Sequence, residues 1–186
     1  MLLAVSAAGW LVAVALDGRA MCGSGSSVAW GVMLLAMLPP LLAQPLRLIW
    51  RSSLARRRAA VSAAFLAGYG LVWMLAGGVL EAAAAGLAGW ALPAVLAAAA
   101  MWRFTPVRAG AMTLCHRTPL LRAFGVAALG DGAGYGVRLG VGCVGACWPL
   151  MALPLATPGW RLPAMAAAAA AMVAERHWPR SASLDR

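Results

Sequence analysis

The chain is 186 residues long, 63% hydrophobic and only 11% charged, with a mean hydropathy of +0.83, whereas a soluble domain carries roughly 45–50% apolar and about 25% charged residues. It has too little polar surface for water and reads as an integral membrane protein, with length for one helical bundle rather than two domains. All fifteen basic residues are arginine against five acids, a net charge of +10, but they fall between apolar runs, which points to topology and anionic lipid headgroups and away from nucleic acid.

Residues 2–17 are apolar but short against the roughly 20 residues that a spanning helix needs. No basic segment precedes them, and Asp17-Gly18-Arg19 is a poor cleavage flank, so they read as a first span and not as a signal peptide. A flexible loop follows, in which Cys22 stands alone as a bystander. The second span, 28–46, is interrupted by Pro39-Pro40, which removes backbone donors that neighbours must replace. Met33 and Met37 precede that break at i, i+4 spacing and read as packing residues. After an arginine-rich gap come a third span, 59–80, carrying Tyr69 and Trp73 and ended by Glu81, and an alanine-rich fourth, 82–102. Residues 103–130 form the longest polar connection, and the mixed basic and apolar stretch 108–124 suits a helix lying in the interface. The fifth and sixth spans cover 137–156 and 160–175, within a single domain of 1–180, and 181–186 form a loose tail.

Arginine bias fixes the orientation. The second gap holds Arg47, Arg51, Arg56, Arg57 and Arg58, and the fourth holds Arg103, Arg108, Arg117 and Arg122. The C-terminal tail holds Arg176, Arg180 and Arg186, while the intervening gaps offer only Arg19 and Arg161. The positive-inside rule then gives an all-α, polytopic transmembrane bundle of about six spanning helices with both termini cytoplasmic. Trp30 and Trp160 fall at the outer interface and Trp50, Trp102 and Trp178 at the inner one, as in an aromatic belt.

The most informative stretch is 132–154. On a helix, Cys143, Cys147 and Met151 stack on one face at successive i, i+4 positions. Soft sulfur donors suit Cu(I), and thiolates also suit zinc, although cysteine and methionine equally serve as packing residues. Topology brings Cys115 and His116 to the same cytoplasmic end as Cys143 and Cys147, with His177 nearby, and keeps Cys22 away. A mixed Cys/His set of this kind would suit zinc tetrahedrally or copper with fewer ligands, though Cys-x3-Cys is not the Cys-x2-Cys of a zinc knuckle. Gly132, Gly136 and Gly140, like Gly142 and Ala146, recur every four residues, which lets helices approach closely and makes this span central. Arg138, near its mouth, can snorkel to headgroups, pair with Asp131 or meet a bound anion.

From Trp30 to about Glu175 the chain resembles a family of predicted metal-binding integral membrane proteins of unknown function, found mainly in bacteria. The resemblance rests on Trp30-Gly31-Val32-Met33, Ala36-Met37-Leu38-Pro39-Pro40 and Ser53-Leu54-Ala55-Arg56-Arg57. It continues through Gly68-Tyr69 with Trp73, Cys115-His116-Arg117, the run from Gly140 through Cys143, Cys147 and Trp148 to Met151, and Glu175. Some relatives carry another cysteine ahead of Cys115, where this chain has Ala111 or a neighbour, so a larger thiol cluster is not expected. The resemblance implies a metal site. The leading expectation is a plasma (inner) membrane protein that binds copper, or next zinc, through Cys143, Cys147 and Met151, closed by Cys115 or His116 with Arg117 behind them. Its role would be metal handling or metalloprotein assembly, with a bilayer, a metal ion and another membrane or metal-delivering protein as partners. A structural membrane subunit with packing cysteines is the alternative, and thiol redox chemistry between Cys143 and Cys147 ranks last, because helical i, i+4 thiols reach disulfide geometry only with strain. Enzyme chemistry is not indicated: paired carboxylates, a nucleotide-binding glycine loop and a Ser/His/Asp set are all missing from the sequence pattern.

The orientation has a direct check. Reporter fusions at Ser26, Arg57, Glu81, Arg117 and Arg186 should read out, in, out, in and in; a cytoplasmic signal at Ser26 would overturn the arrangement.

Overall fold

The computed structural model describes residues 2–17, 27–87, 91–117, 119, 122 and 126–177. Among these, the chain forms eight α-helices and no strand. They are α1 (Leu2–Asp17), α2 (Ser27–Met37), α3 (Pro39–Ser52), α4 (Arg58–Leu87), α5 (Ala91–Trp102), α6 (Pro106–His116), α7 (Ala127–Ala156) and α8 (Arg161–His177), the last entered through a 3-10 turn at Pro158–Trp160. Cys22 lies outside the described residues, as do 178–186.

Sequence chemistry accounts for the breaks. Pro39 and Pro40 occupy the first positions of α3, where a missing N–H leaves no helical hydrogen bond unmade. The chain turns there by 69° between α2 and α3. At Glu81 the outcome differs from the sequence expectation. α4 runs straight through it to Leu87, because Ala82 to Ala85 are strong helix formers and a single carboxylate does not stop a helix. What remains for α5 is only 12 residues. α7 starts at Ala127, ten residues before the expected fifth span, so residues 127–130, read as the end of the connection, are helix. Two helices, Arg58–Gly86 and Ala127–Ala156, are long and apolar enough to cross a membrane among the described residues, or three spans if the bent α2–α3 pair counts as one.

Intrinsic propensity disfavours a helix with so many glycines; packing overrides it. α7 makes its most extensive contact with α4 and also touches α5, α6 and α8. Its glycines let the backbones meet: a Cβ on Gly136 would overlap the Phe65 carbonyl oxygen, and one on Gly132 would stand 2.9 Å from the Val61 carbonyl oxygen. Gly68 on α4 returns the arrangement, with the Ala133 carbonyl oxygen 2.5 Å from its missing Cβ. Beside this seam, Phe65 packs on Tyr135 at 5.2 Å between ring centroids.

The first helices attach through similar contacts. Ser6 Oγ donates to the Ala36 carbonyl at 2.6 Å, and Gly9 lets α1 sit against the α2 backbone. Trp30 lies over Gly77 and donates its indole N–H to the Trp73 carbonyl at 2.9 Å. The outward faces are apolar: Leu3, Leu75 and Val79 are 75%, 65% and 70% exposed.

Substitution at the seam tests this packing. Gly136→Ala should destabilise the protein by about 1–3 kcal/mol or more, the usual cost of overpacking, whereas Gly70→Ala, which faces open space, should be neutral or slightly stabilising. Thermal unfolding in detergent separates the two; equal effects would argue against the close approach.

Candidate metal centre

α6 delivers Cys115. Thr105 caps this helix, its hydroxyl oxygen accepting the Arg108 N–H at 3.3 Å, and Pro106 takes the first helical position. The sequence placed a helix over 108–124; it spans Pro106–His116 and lies packed against α7. It approaches so closely because it faces glycine. A Cβ on Gly142 would stand 3.0 Å from Cys115 Sγ, and one on Gly145 would stand 3.0 Å from Ala111 Cβ. Trp102 at the end of α5 secures the same place, donating its indole N–H to the Gly145 carbonyl at 2.8 Å and meeting Trp148 edge-on at 5.4 Å.

The result is a thiol pair: Cys115 Sγ and Cys143 Sγ lie 3.8 Å apart. Cys147 is buried one turn on and donates its S–H to the Cys143 carbonyl at 2.8 Å. All three thiols line a cavity of about 50 Å³ together with Met112, Met172 and Glu175, enough room for a few waters. Glu175 is held at its edge by two arginines, Arg103 Nη1 at 2.8 Å and Arg108 Nη2 at 2.7 Å. This pairing ties the end of α8 to α5 and α6.

The donor set has a definite character. Two thiolates 3.8 Å apart, each bonded at about 2.3 Å, would subtend roughly 110° at one shared ion, leaving space for a further donor. No three His, Cys, Asp or Glu side chains converge to hold an ion among the described residues. The further soft donors that line the cavity are the Cys147 thiol and the thioethers of Met112 and Met172. Thiolate plus thioether is a set that suits Cu(I) better than zinc.

The residues singled out in the sequence divide accordingly. Cys115, Cys143 and Cys147 reach one cavity. Met151 is fully buried in the core cluster and is not among the residues lining it. His116 and His177 end α6 and α8, and their side chains lie outside what the structure describes. Arg117 lines a separate cleft with Arg138, so it does not stand behind the thiols. Asp131 pairs with Arg122 at 2.8 Å rather than with Arg138, whose Nε donates to the Gly134 carbonyl at 3.2 Å. Met112 and Met172 went unnoticed in the sequence, yet a signal was there: Met112 precedes Cys115, and Met172 precedes Glu175, by three residues on one helical face.

The sequence profile of a family described as PpoB2, copper chaperone, matches residues 27–186. No curated protein and no solved structure matches the chain.

Oxidative cross-linking tests the pairing of the sulfurs. Mild oxidation of the purified protein should join Cys115 to Cys143, identified by mass mapping of the linked peptides; a Cys143–Cys147 product would contradict the geometry.

Proposed function

The chain belongs to the PpoB2 copper chaperone family, and from that premise we propose that it is a multi-pass membrane protein that carries Cu(I) between Cys115 and Cys143. The observation that carries this reading is the 3.8 Å separation of the two thiols at a cavity that also offers Met112 and Met172. Copper is the cargo here. Each thiol gives up its proton when the ion binds, so loading releases protons and weakens as pH falls. Cys147, its proton committed to the Cys143 carbonyl, serves as a neighbouring donor during transfer rather than as a member of the resting pair.

The membrane part of the proposal joins the helices to the arginine bias. α1, the bent α2–α3 pair, α4, α5 continued by α6, α7 and α8 make six passes, since α5 alone has 12 residues and α6 packs on the middle of α7 at Gly142 and Gly145. α4 and α7 supply the full-length crossings, and exposed leucines and valines such as Leu75 and Val79 meet lipid. Both termini then face the plasma membrane's cytoplasmic side, and the Cys115–Cys143 pair sits halfway along α7, about 24 Å from its first residue at 1.5 Å per residue. A delivery partner in the membrane or at its cytoplasmic face would receive the ion.

Metal titration decides between this reading and that of a structural subunit. Wild-type protein, reduced and titrated with Cu(I) against a chromogenic chelator, should bind one equivalent. Cys115→Ala or Cys143→Ala should weaken binding by about a hundredfold or more, near 2.8 kcal/mol. Cys147→Ala and Met112→Ala should cost less, and Cys22→Ala should change nothing. A wild-type protein that takes up no stoichiometric Cu(I) would leave the cysteines as packing residues.

A further inference from the structure

A second cleft lies beside the thiols, between the end of α6 and the first half of α7. It is about 240 Å³ in volume and is lined by Leu114, Arg117, Pro119, Tyr135, Arg138 and Leu139. Two guanidinium groups at one cavity repel each other unless an anion joins them. The acids that could do so are committed elsewhere among the described residues. Both oxygens of Asp131 are taken by Arg122, and both oxygens of Glu175 by Arg103 and Arg108. None of the ion pairs among the described residues involves Arg117 or Arg138, and Asp131, whose oxygens Arg122 holds, acts on Arg138 only through space.

Local structure presents both arginines to the cleft. α6 ends at His116, and Arg117 leaves it in an extended conformation, φ −74° and ψ 119°, with Pro119 forming part of the wall. Arg138 is anchored by its Nε to the Gly134 carbonyl, which leaves the two terminal amino groups as donors. Arginine's planar fork matches an oxyanion in bidentate fashion. Leu114, Leu139 and Pro119 make the rest of the wall apolar, which favours the phosphate of an amphiphile over a fully hydrated free ion.

We propose that Arg117 and Arg138 form a phosphate-binding site, independent of the thiol pair, whose natural occupant is the phosphodiester of an anionic lipid headgroup. It stands apart from the copper reading and survives its failure. Occupancy would fasten the end of α6 to α7 just beyond Cys115 and so hold the wall of the neighbouring cavity in place.

The test is thermal unfolding in a neutral, phosphate-free detergent, followed by tryptophan fluorescence at constant ionic strength. Short-chain phosphatidylglycerol and, separately, inorganic phosphate are titrated in. The expected result is a saturable rise in Tm with the lipid. Its midpoint should move to at least about tenfold higher concentration in R117Q/R138Q, since charge-assisted hydrogen bonds are lost, and should stay in place in R47Q/R51Q, which removes equal charge elsewhere. Saturation by inorganic phosphate at comparable concentration would keep the site but assign it to the free ion. No saturable rise with either probe, or the same midpoint in R117Q/R138Q as in wild type, overturns the proposal. If R117Q/R138Q does not accumulate as folded protein, R117K/R138K is read instead: it keeps the charge but loses the fork, and an unchanged midpoint there overturns the proposal equally.

Discussion

Backbone contact between α4 and α7 is the constraint from which the remaining geometry follows. The Gly132, Gly136 and Gly140 face of α7 meets α4 nearly atom to atom, with Gly136 against the Phe65 carbonyl. A seam that close admits little sliding or rotation, since interiors packed to crystal density tolerate few displaced atoms. Fixing α7 in rotation fixes its other faces. Gly142 and Gly145 are thereby presented to α6, and Cys143 is brought to the one place where Cys115 can reach it. One helix thus uses two glycine surfaces for two purposes, the first to set its own position and the second to admit a cysteine from a neighbour.

Charge then closes what packing has shaped. Glu175 draws Arg103 and Arg108 together across the end of the sulfur-lined cavity. Exposed ion pairs contribute little, typically 0.2–1 kcal/mol each, but here both carboxylate oxygens are engaged and the Arg108 side chain is largely covered. The pairing orients α8 rather than holding the bundle together, and that orientation is what brings Met172 to the cavity. Apolar packing therefore provides the stability of the site, and a small polar contact selects the arrangement of its rim.

Much of this was legible in the residues. Hydrophobic runs gave the helical class, and Pro39-Pro40 marked the 69° turn. Glycines at every fourth position identified α7 as central, and Cys115, Cys143 and Cys147 were expected to meet, although α7 begins earlier than expected and so carries its two cysteines at its middle rather than near its end. Other features were hidden because they arise only from contact. Glu81 looked like a terminus, but the alanines after it carry α4 on. Residues 127–130 looked like the end of a connection, yet they form the first turn of α7. Met151 shares the sulfur stripe of α7 and yet goes to the core, whereas Met112 and Met172 come from two other helices. A stripe on one helix can be read from spacing; convergence of three helices requires the crossing positions that side-chain packing decides. Arg117 illustrates the same limit, lying two residues from Cys115 but in the neighbouring cleft.

The cavity draws its walls from α3, which supplies Leu41, and from α6, α7 and α8, and that order along the chain has a consequence for biosynthesis. A ribosome releases α6 and α7 first, so the two thiols can meet while α8 is still being made. Met172 and Glu175 come only near the end of the described chain. During that interval the sulfur pair stands without its last wall and without the carboxylate that gathers Arg103 and Arg108. Completion of the site therefore waits for α8, and docking of that helix is the step that encloses it.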